Sequence, residues 1–425
     1  MLNPLQMYFK PSTQEINMAS NVVPSPFLRC SILTAPTLAK VALTVMLAAC
    51  IFSSRAHAQF TPLATGTATM DSLTPSCPTT AGWLSGGTCK HITISNCPNT
   101  DDLGVTVNYV PPSGTSSGTI VFFGGGAGTS ANTDSGQETS FAASYLLAGY
   151  ATVQTAWDDD WEGTDSDGDS GSDSILQAAC RPATLMSMIN SSSLFHPSGA
   201  MCAQGASAGG GGVAYALVWY GAKLYLNNAE LLSGPPFSDI EQACKVQHVS
   251  DVTICGSGQY GCDNEYGNTG NWNNSPQFID FYLASFQTWI GGGTTGSSSC
   301  NNSGGTTTSS SANTAWLDMS IVNPTGGDFD FKNYTSMAQW VCAGSASNYQ
   351  TGTCGNAHCP NNSGSQGGIF GQVFSSTGYH PLHYAFTGIN GCYQEEGVTG
   401  SVAYTPNETL ASTAIQTDMK TYCTK

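Results

Sequence analysis

Residues 200–219 read AMCAQGASAGGGGVAYALVW. An apolar run, Ala200 to Ala206, meets a serine set among small residues, and an apolar helix-like run follows four glycines. Gly205-Ala206-Ser207-Ala208-Gly209 matches G-x-S-x-G, the pattern of a sharp strand-to-helix turn with a serine at its apex. Side chains two residues away on either flank would collide across such a turn, so glycine belongs there. The following helix would aim its first N–H groups at the serine. A Gly/Ser linker is the competing reading, but apolar runs on both sides argue against it.

Working outward, HITISNC, VTVNYVPP and GTIVFFGGGAG read as strands, the last running into Gly124-Gly125-Gly126. GQETSFAASYLLAG reads as a helix, YATVQTAW as a strand, and DSILQAACRPATLMSMI as a helix with Asp173 or Ser174 as its cap. AELLSGPPF is the strand after the elbow helix. This alternation predicts an α/β fold, with a mostly parallel sheet and helices on both faces. Residues 238–315 hold aromatic stretches and a Gly/Ser/Thr-rich segment, read as a cap or lid inserted in one domain.

The N-terminal region has Lys40, an apolar run to about Ile51, then Ala56-His57-Ala58. That is the pattern of a secretory signal, placing the signal at 1–58 and the mature domain at 59–425. The rival is a lipoprotein signal ending at Leu47-Ala48-Ala49-Cys50. The apolar run is too short for a membrane span, which needs about 20 residues. Of 16 cysteines, removal of Cys30 and Cys50 leaves 14, an even number that reads as several disulfides in an exported protein. The mature charge is 7 − 27 = −20, which argues against nucleic acid as a partner. Sparse basic groups suit solubility in acid. WDDDWEGTDSDGDSGSD is a dense acidic loop. It lacks the glycine and closing glutamate of an EF-hand and reads as solvated rather than calcium-binding.

FFGGGAG, GASAG and LLSGPP together resemble the α/β-hydrolase superfamily over most of residues 90–240. QTAWDDDWE, AACRPATL and SGPPFSDI resemble a set of exported bacterial hydrolases. The chain departs from lipase-type loops in having Phe123, not histidine, before the glycines. It departs from tannases and fungal feruloyl esterases in having Ala206, not cysteine, before the serine.

The resemblance implies a secreted serine esterase with Ser207 as nucleophile and Gly125, Gly126 and Ala208 as oxyanion donors. It also implies the chain order serine, acid, histidine, and it calls for neither a cofactor nor a metal. The base should follow the last strand. His380 is the first choice, with His383 and then His358 as alternatives. The acid should follow a late strand. DMSIVNPTGGDFDFKN offers Asp328, and Asp239 is the rival one strand earlier. If TSMAQWVC is instead the late strand, Glu395 and Glu396 are the nearby acids. The partner is an ester, small or polymeric, with the aromatic insertion leaning toward a bulky or polyester substrate. A serine peptidase of the same fold and a non-catalytic binding protein are the alternatives.

Overall fold

The computed structural model describes residues 60–72, 77, 82–125, 128–131, 137–162, 174–206, 208–232, 235, 237–238, 318–323, 326–329, 335–342, 370, 384–389 and 408–425. The signal expected at 1–58 and nearly all of the insertion at 238–315 lie outside them.

Among the described residues nine strands form one sheet: β1 (Thr67–Met70), β2 (Thr88–Ser95), β3 (Leu103–Val110), β4 (Gly118–Phe123), β5 (Ala151–Trp157), β6 (Ala200–Ala206), β7 (Asn228–Leu232), β8 (Ser336–Cys342) and β9 (Tyr384–Ile389). Their order across the sheet is β1-β2-β3-β5-β4-β6-β7-β8-β9. β1, β2 and β3 pair antiparallel, β3 pairs antiparallel with β5, and every pairing from β5 through β9 is parallel. This is the sheet of an α/β-hydrolase with one strand, β1, added at its outer edge. The superfamily resemblance implies eight strands, and β1 is the ninth. The exposed–intermediate alternation of Thr67–Met70 marks β1 as an edge strand with no apolar run to announce it.

Helices cover both faces. α1 (Gln137–Leu147) and α5 (Glu408–Tyr422) lie on one face. Phe141, Tyr145, Ile415 and Met419 pack there on Ile120, Phe122, Cys202 and Trp340. On the other face are α2 (Ile175–Ala178), α3 (Cys180–Ser191) and α4 (Ala208–Trp219). Ala183, Leu185, Tyr215 and Leu217 pack there on Val121, Phe123, Val153, Met201 and Leu231. The period of two along each buried strand splits alternate residues between these cores. β4 shows it plainly, with Ile120 and Phe122 on one side and Val121 and Phe123 on the other.

The single helix expected over 173–189 is two, α2 and α3, separated at Ala179. Ser174 is the cap. Its hydroxyl accepts from Gln177 N–H, and the Gln177 side chain returns a bond to Ser174 N–H, completing a capping box.

Among the described residues three disulfides brace the fold: Cys77–Cys89, Cys97–Cys180 and Cys202–Cys423. They fit an oxidising compartment. Among the described residues no helix is long and apolar enough to cross a membrane.

Candidate active site

β6 ends at Ala206 and α4 begins at Ala208, so one residue, Ser207, joins strand to helix. Ser207 itself lies outside the described residues, but its frame does not. A Cβ at Gly205 would fall 2.6 Å from the Gly209 carbonyl carbon and 2.7 Å from Gly210 N. A Cβ at Gly209 would meet the Phe123 carbonyl oxygen and lie 2.6 Å from that of Gly124. Real Cβ atoms do not sit so close to backbone. Both flanking glycines of G-x-S-x-G are thus required by sterics: one by the turn, the other by the loop leaving β4.

That loop is the expected oxyanion loop. Phe123 pairs in register with Gly205, so Gly124 and Gly125 leave the sheet level with the end of β6. Gly128 N–H donates to Gly125 O at 3.1 Å, and Gly128 O accepts from Trp157 N–H at 2.9 Å. Gly128 has φ +69°, and a Cβ there would strike Trp157 and Trp161. The loop is therefore fixed to the end of β5. Gly126 lies outside the described residues. Gly125 lies on the loop leaving β4, and Ala208 is the first residue of α4, where N–H groups have no partner within the helix.

The late residues depart from expectation. DMSIVNPTGGDFDFKN contributes no strand among its described residues. Met319 and Ile321 instead accept bonds from side chains of the elbow helix, Tyr215 O–H at 2.7 Å and Trp219 Nε1–H at 3.1 Å. The late strand is β8, SMAQWVC.

Asp328 is not brought to the elbow. Its N–H donates to Val218 O at 2.8 Å, and its carboxylate pairs with the buried Lys223 ammonium at 2.7 Å. Val218 is ten residues along α4 from Ala208, about 15 Å at 1.5 Å per residue. An acid of the triad must hydrogen-bond the histidine that reaches the serine, and that separation is too long. Asp328 instead satisfies Lys223 at the foot of the helix.

His380, His383 and His358 lie outside the described residues, as do Asp239, Glu395 and Glu396. The premise that placed His380 and His383 first is nevertheless corrected. The last described strand, β9, begins at Tyr384, after all three histidines, and residues 390–425 contain none. Ala206 aligns across the parallel strands with Leu232, Trp340 and Thr387. Tyr384 aligns with Met337, three residues back along β8 from that level. β9 thus starts at the sheet edge opposite the elbow.

The acidic loop is not simply solvated where it is described. Trp161 and Glu162 are buried. Asp158 Oδ2 lies 2.7 Å from His91 Nε2, and Asp71 Oδ2 lies 2.6 Å from His91 Nδ1. Burial of the ring alone would lower the His91 pKa. Hydrogen bonds to Asp158 and Asp71, with their charges, override it and raise the value above 6.5. The clamp's contribution is then complete below pH 6.5 and is lost as pH rises through the raised value. For so exposed a pair it is about 0.2–1 kcal/mol. His91→Gln should lower stability in urea titrations at pH 5.5 and leave it nearly unchanged at pH 9. An equal loss at both pH values would assign the clamp no charge.

Among the described residues no group of three or more His, Cys, Asp or Glu side chains is placed to hold a metal ion.

No family model matches the chain, and no curated protein matches it in sequence. Among solved structures it is similar to brefeldin A esterase, a bacterial homologue of human hormone-sensitive lipase. That likeness has 12% identity, covers 93% of this chain and 89% of the other, and has a TM-score of 0.45. It is similar to acetyl xylan esterase 1 from Thermoanaerobacterium sp. JW/SL YS485, at 10% identity, 83% and 87% coverage and a TM-score of 0.42. A carboxyl esterase from Bacillus coagulans gives 12%, 79% and 99%, with a TM-score of 0.39. At these values the fold rests on strand order, strand direction and the elbow.

Proposed function

We propose that the chain is a secreted serine hydrolase that cleaves carboxylic esters through an acyl-enzyme on Ser207. One observation carries this reading: a single residue joins β6 to α4, and of the two sterically required glycines that flank it, Gly205 packs on the first turn of α4 and Gly209 on the loop leaving β4. A linker has no need of such packing. A nucleophile needs it so that one hydroxyl, several N–H groups and a carbonyl carbon can meet.

A histidine takes the proton of Ser207 as its oxygen bonds to the ester carbonyl carbon. The oxyanion accepts from Ala208 N–H and the Gly125–Gly126 backbone. The alcohol leaves with the proton from the histidine. Water, deprotonated by the same histidine, then releases the acid and restores the serine.

For the base, topology favours His358. β8 ends at the elbow edge, and His358 follows it on the connection to β9, well before Tyr384 at the far edge. For the acid, Asp239 replaces Asp328. It follows β7 at the elbow edge, and its near neighbour Phe237 is buried at φ +63°, a strained conformation of the sort found at functional loops. The export signal at 1–58, a lid within 238–315 and a bulky or polymeric ester complete the proposal.

Alanine at His358, His380 and His383 in turn tests the base. His358→Ala should lower kcat by about 10⁴–10⁶-fold, with the other two within about tenfold of the parent. A dead His380→Ala beside an active His358→Ala would move the base and leave the nucleophile in place. Paired ester and amide substrates of one acyl group separate esterase from peptidase, the ester being turned over and the amide not.

A further inference from the structure

Glu230 stands in the middle of β7 and is completely buried. It faces α1 and α5, on the side of the sheet that carries Cys202 and Trp340. Every element around it presents a polar group. From β6, Gln204 Nε2 donates to Glu230 Oε2 and, at 3.0 Å, to the Tyr145 phenol oxygen of α1. From β8 the Trp340 indole N–H faces the carboxyl. From α5 come the Met419 main-chain N–H and the Asp418 carboxyl. The ammonium of Lys420, the nearby cation on α5, lies at Ser144 Oγ, 3.5 Å away. Glu230 is thus met by amide, phenol, indole and a second carboxyl.

We propose that Glu230 works as a neutral carboxylic acid that joins α5 to β6 and β7, and that losing its proton in alkali places a charge among these elements, releases the helix and unsettles the strand that leads to Ser207. The location explains the reach. Gln204, three residues before Ser207, binds Glu230 directly, and α5 is tied to β6 through Cys202–Cys423. Burial chiefly, with Asp418 adding to it, holds the Glu230 pKa well above 4.5 against the lowering effect of Gln204, Met419 and Trp340. A charge here would be uncompensated in low dielectric.

The sign follows from proton counts. Above pH 4.5 the unfolded chain has released the Glu230 proton and the folded chain still holds it. The unfolding equilibrium constant therefore rises with pH, by up to tenfold per unit, until the folded-state value is passed. Glutamine has the shape of the neutral acid and cannot ionise.

The experiment compares the full-length protein with Glu230→Gln and Asp418→Asn, by infrared spectroscopy at pH 7 and urea unfolding from pH 4 to 10. The parent should show a protonated-carboxyl stretch that Glu230→Gln lacks. The two should match near pH 4 and diverge with rising pH, Glu230→Gln being at least 10-fold less prone to unfold at pH 8. Asp418→Asn should reduce the parent's alkaline loss. Absence of that band from the parent, or parallel pH curves, would overturn the latch. Should Glu230→Gln not fold, the band and the Asp418→Asn curve decide alone. The activity consequence rests on the Ser207 reading, but neither measurement uses ester turnover, so the latch and the nucleophile fail independently.

Discussion

Ser207→Ala should lower ester turnover by about 10⁶-fold while leaving the protein folded. The size comes from chemistry. Without the hydroxyl no acyl-enzyme forms, and a histidine left beside an empty site can only assist water weakly. Survival of the fold comes from packing. The frame of the elbow is made by Gly205, Gly209 and the carbonyls of Phe123 and Gly124, which pack backbone on backbone. Circular dichroism and urea unfolding check the fold. Labelling with a fluorophosphonate checks the chemistry, with one label per parent chain and none on the variant. A folded variant that keeps full turnover would end the nucleophile assignment.

Removal of the Cys202–Cys423 bridge should be the costliest change that leaves every proposed catalytic group in place. The bridge spans 221 residues. Loop-closure entropy for a ring of that size is about 5 kcal/mol, near the upper end of what losing one disulfide costs. A protein of ordinary stability has only about 5–15 kcal/mol to lose. The double variant Cys202→Ala with Cys423→Ala avoids a stray thiol and should show that loss in denaturant titrations. Both sulfurs are buried, one on the elbow strand and one just beyond α5, so the turnover of the folded fraction should fall as well. A change below about 1 kcal/mol would mean that packing alone docks α5.

Much of the molecule was legible because its strands are apolar runs ended by glycine, and its helices are apolar runs begun by small or capping residues. β2 to β7 and the elbow fall in this group. β1 was missed because a short edge strand with half its residues exposed carries no hydrophobic signal. The late chain misled for a physical reason. Met319 and Ile321 are apolar and buried, as strand residues would be, but they are buried by α4 and anchored by Tyr215 and Trp219. Asp328 then looked like an acid after a strand and is a partner for Lys223. The alternative strand TSMAQWVC was the correct one. Gln204 and Glu230 were visible as polar residues in buried strands, AMCAQGA and NAELL, but only spatial pairing reveals that they belong to one network.

In α4 four consecutive glycines, Gly209 to Gly212, follow Ala208, and all twelve of its residues are buried. Each glycine disfavours a helix by about 1 kcal/mol relative to alanine, so in isolation this segment has little tendency to coil. Its helical state depends on the walls around it: the loop after β4, Pro182 against Gly212, and the sheet below. The elbow therefore cannot be an early, locally formed structure. A chain still emerging from the ribosome in extended form carries Ser207 as an ordinary hydroxyl. On the Ser207 reading, reactivity would arrive only with the finished tertiary structure, because the strand, the helix and the loop after β4 have to meet before the hydroxyl has any partners.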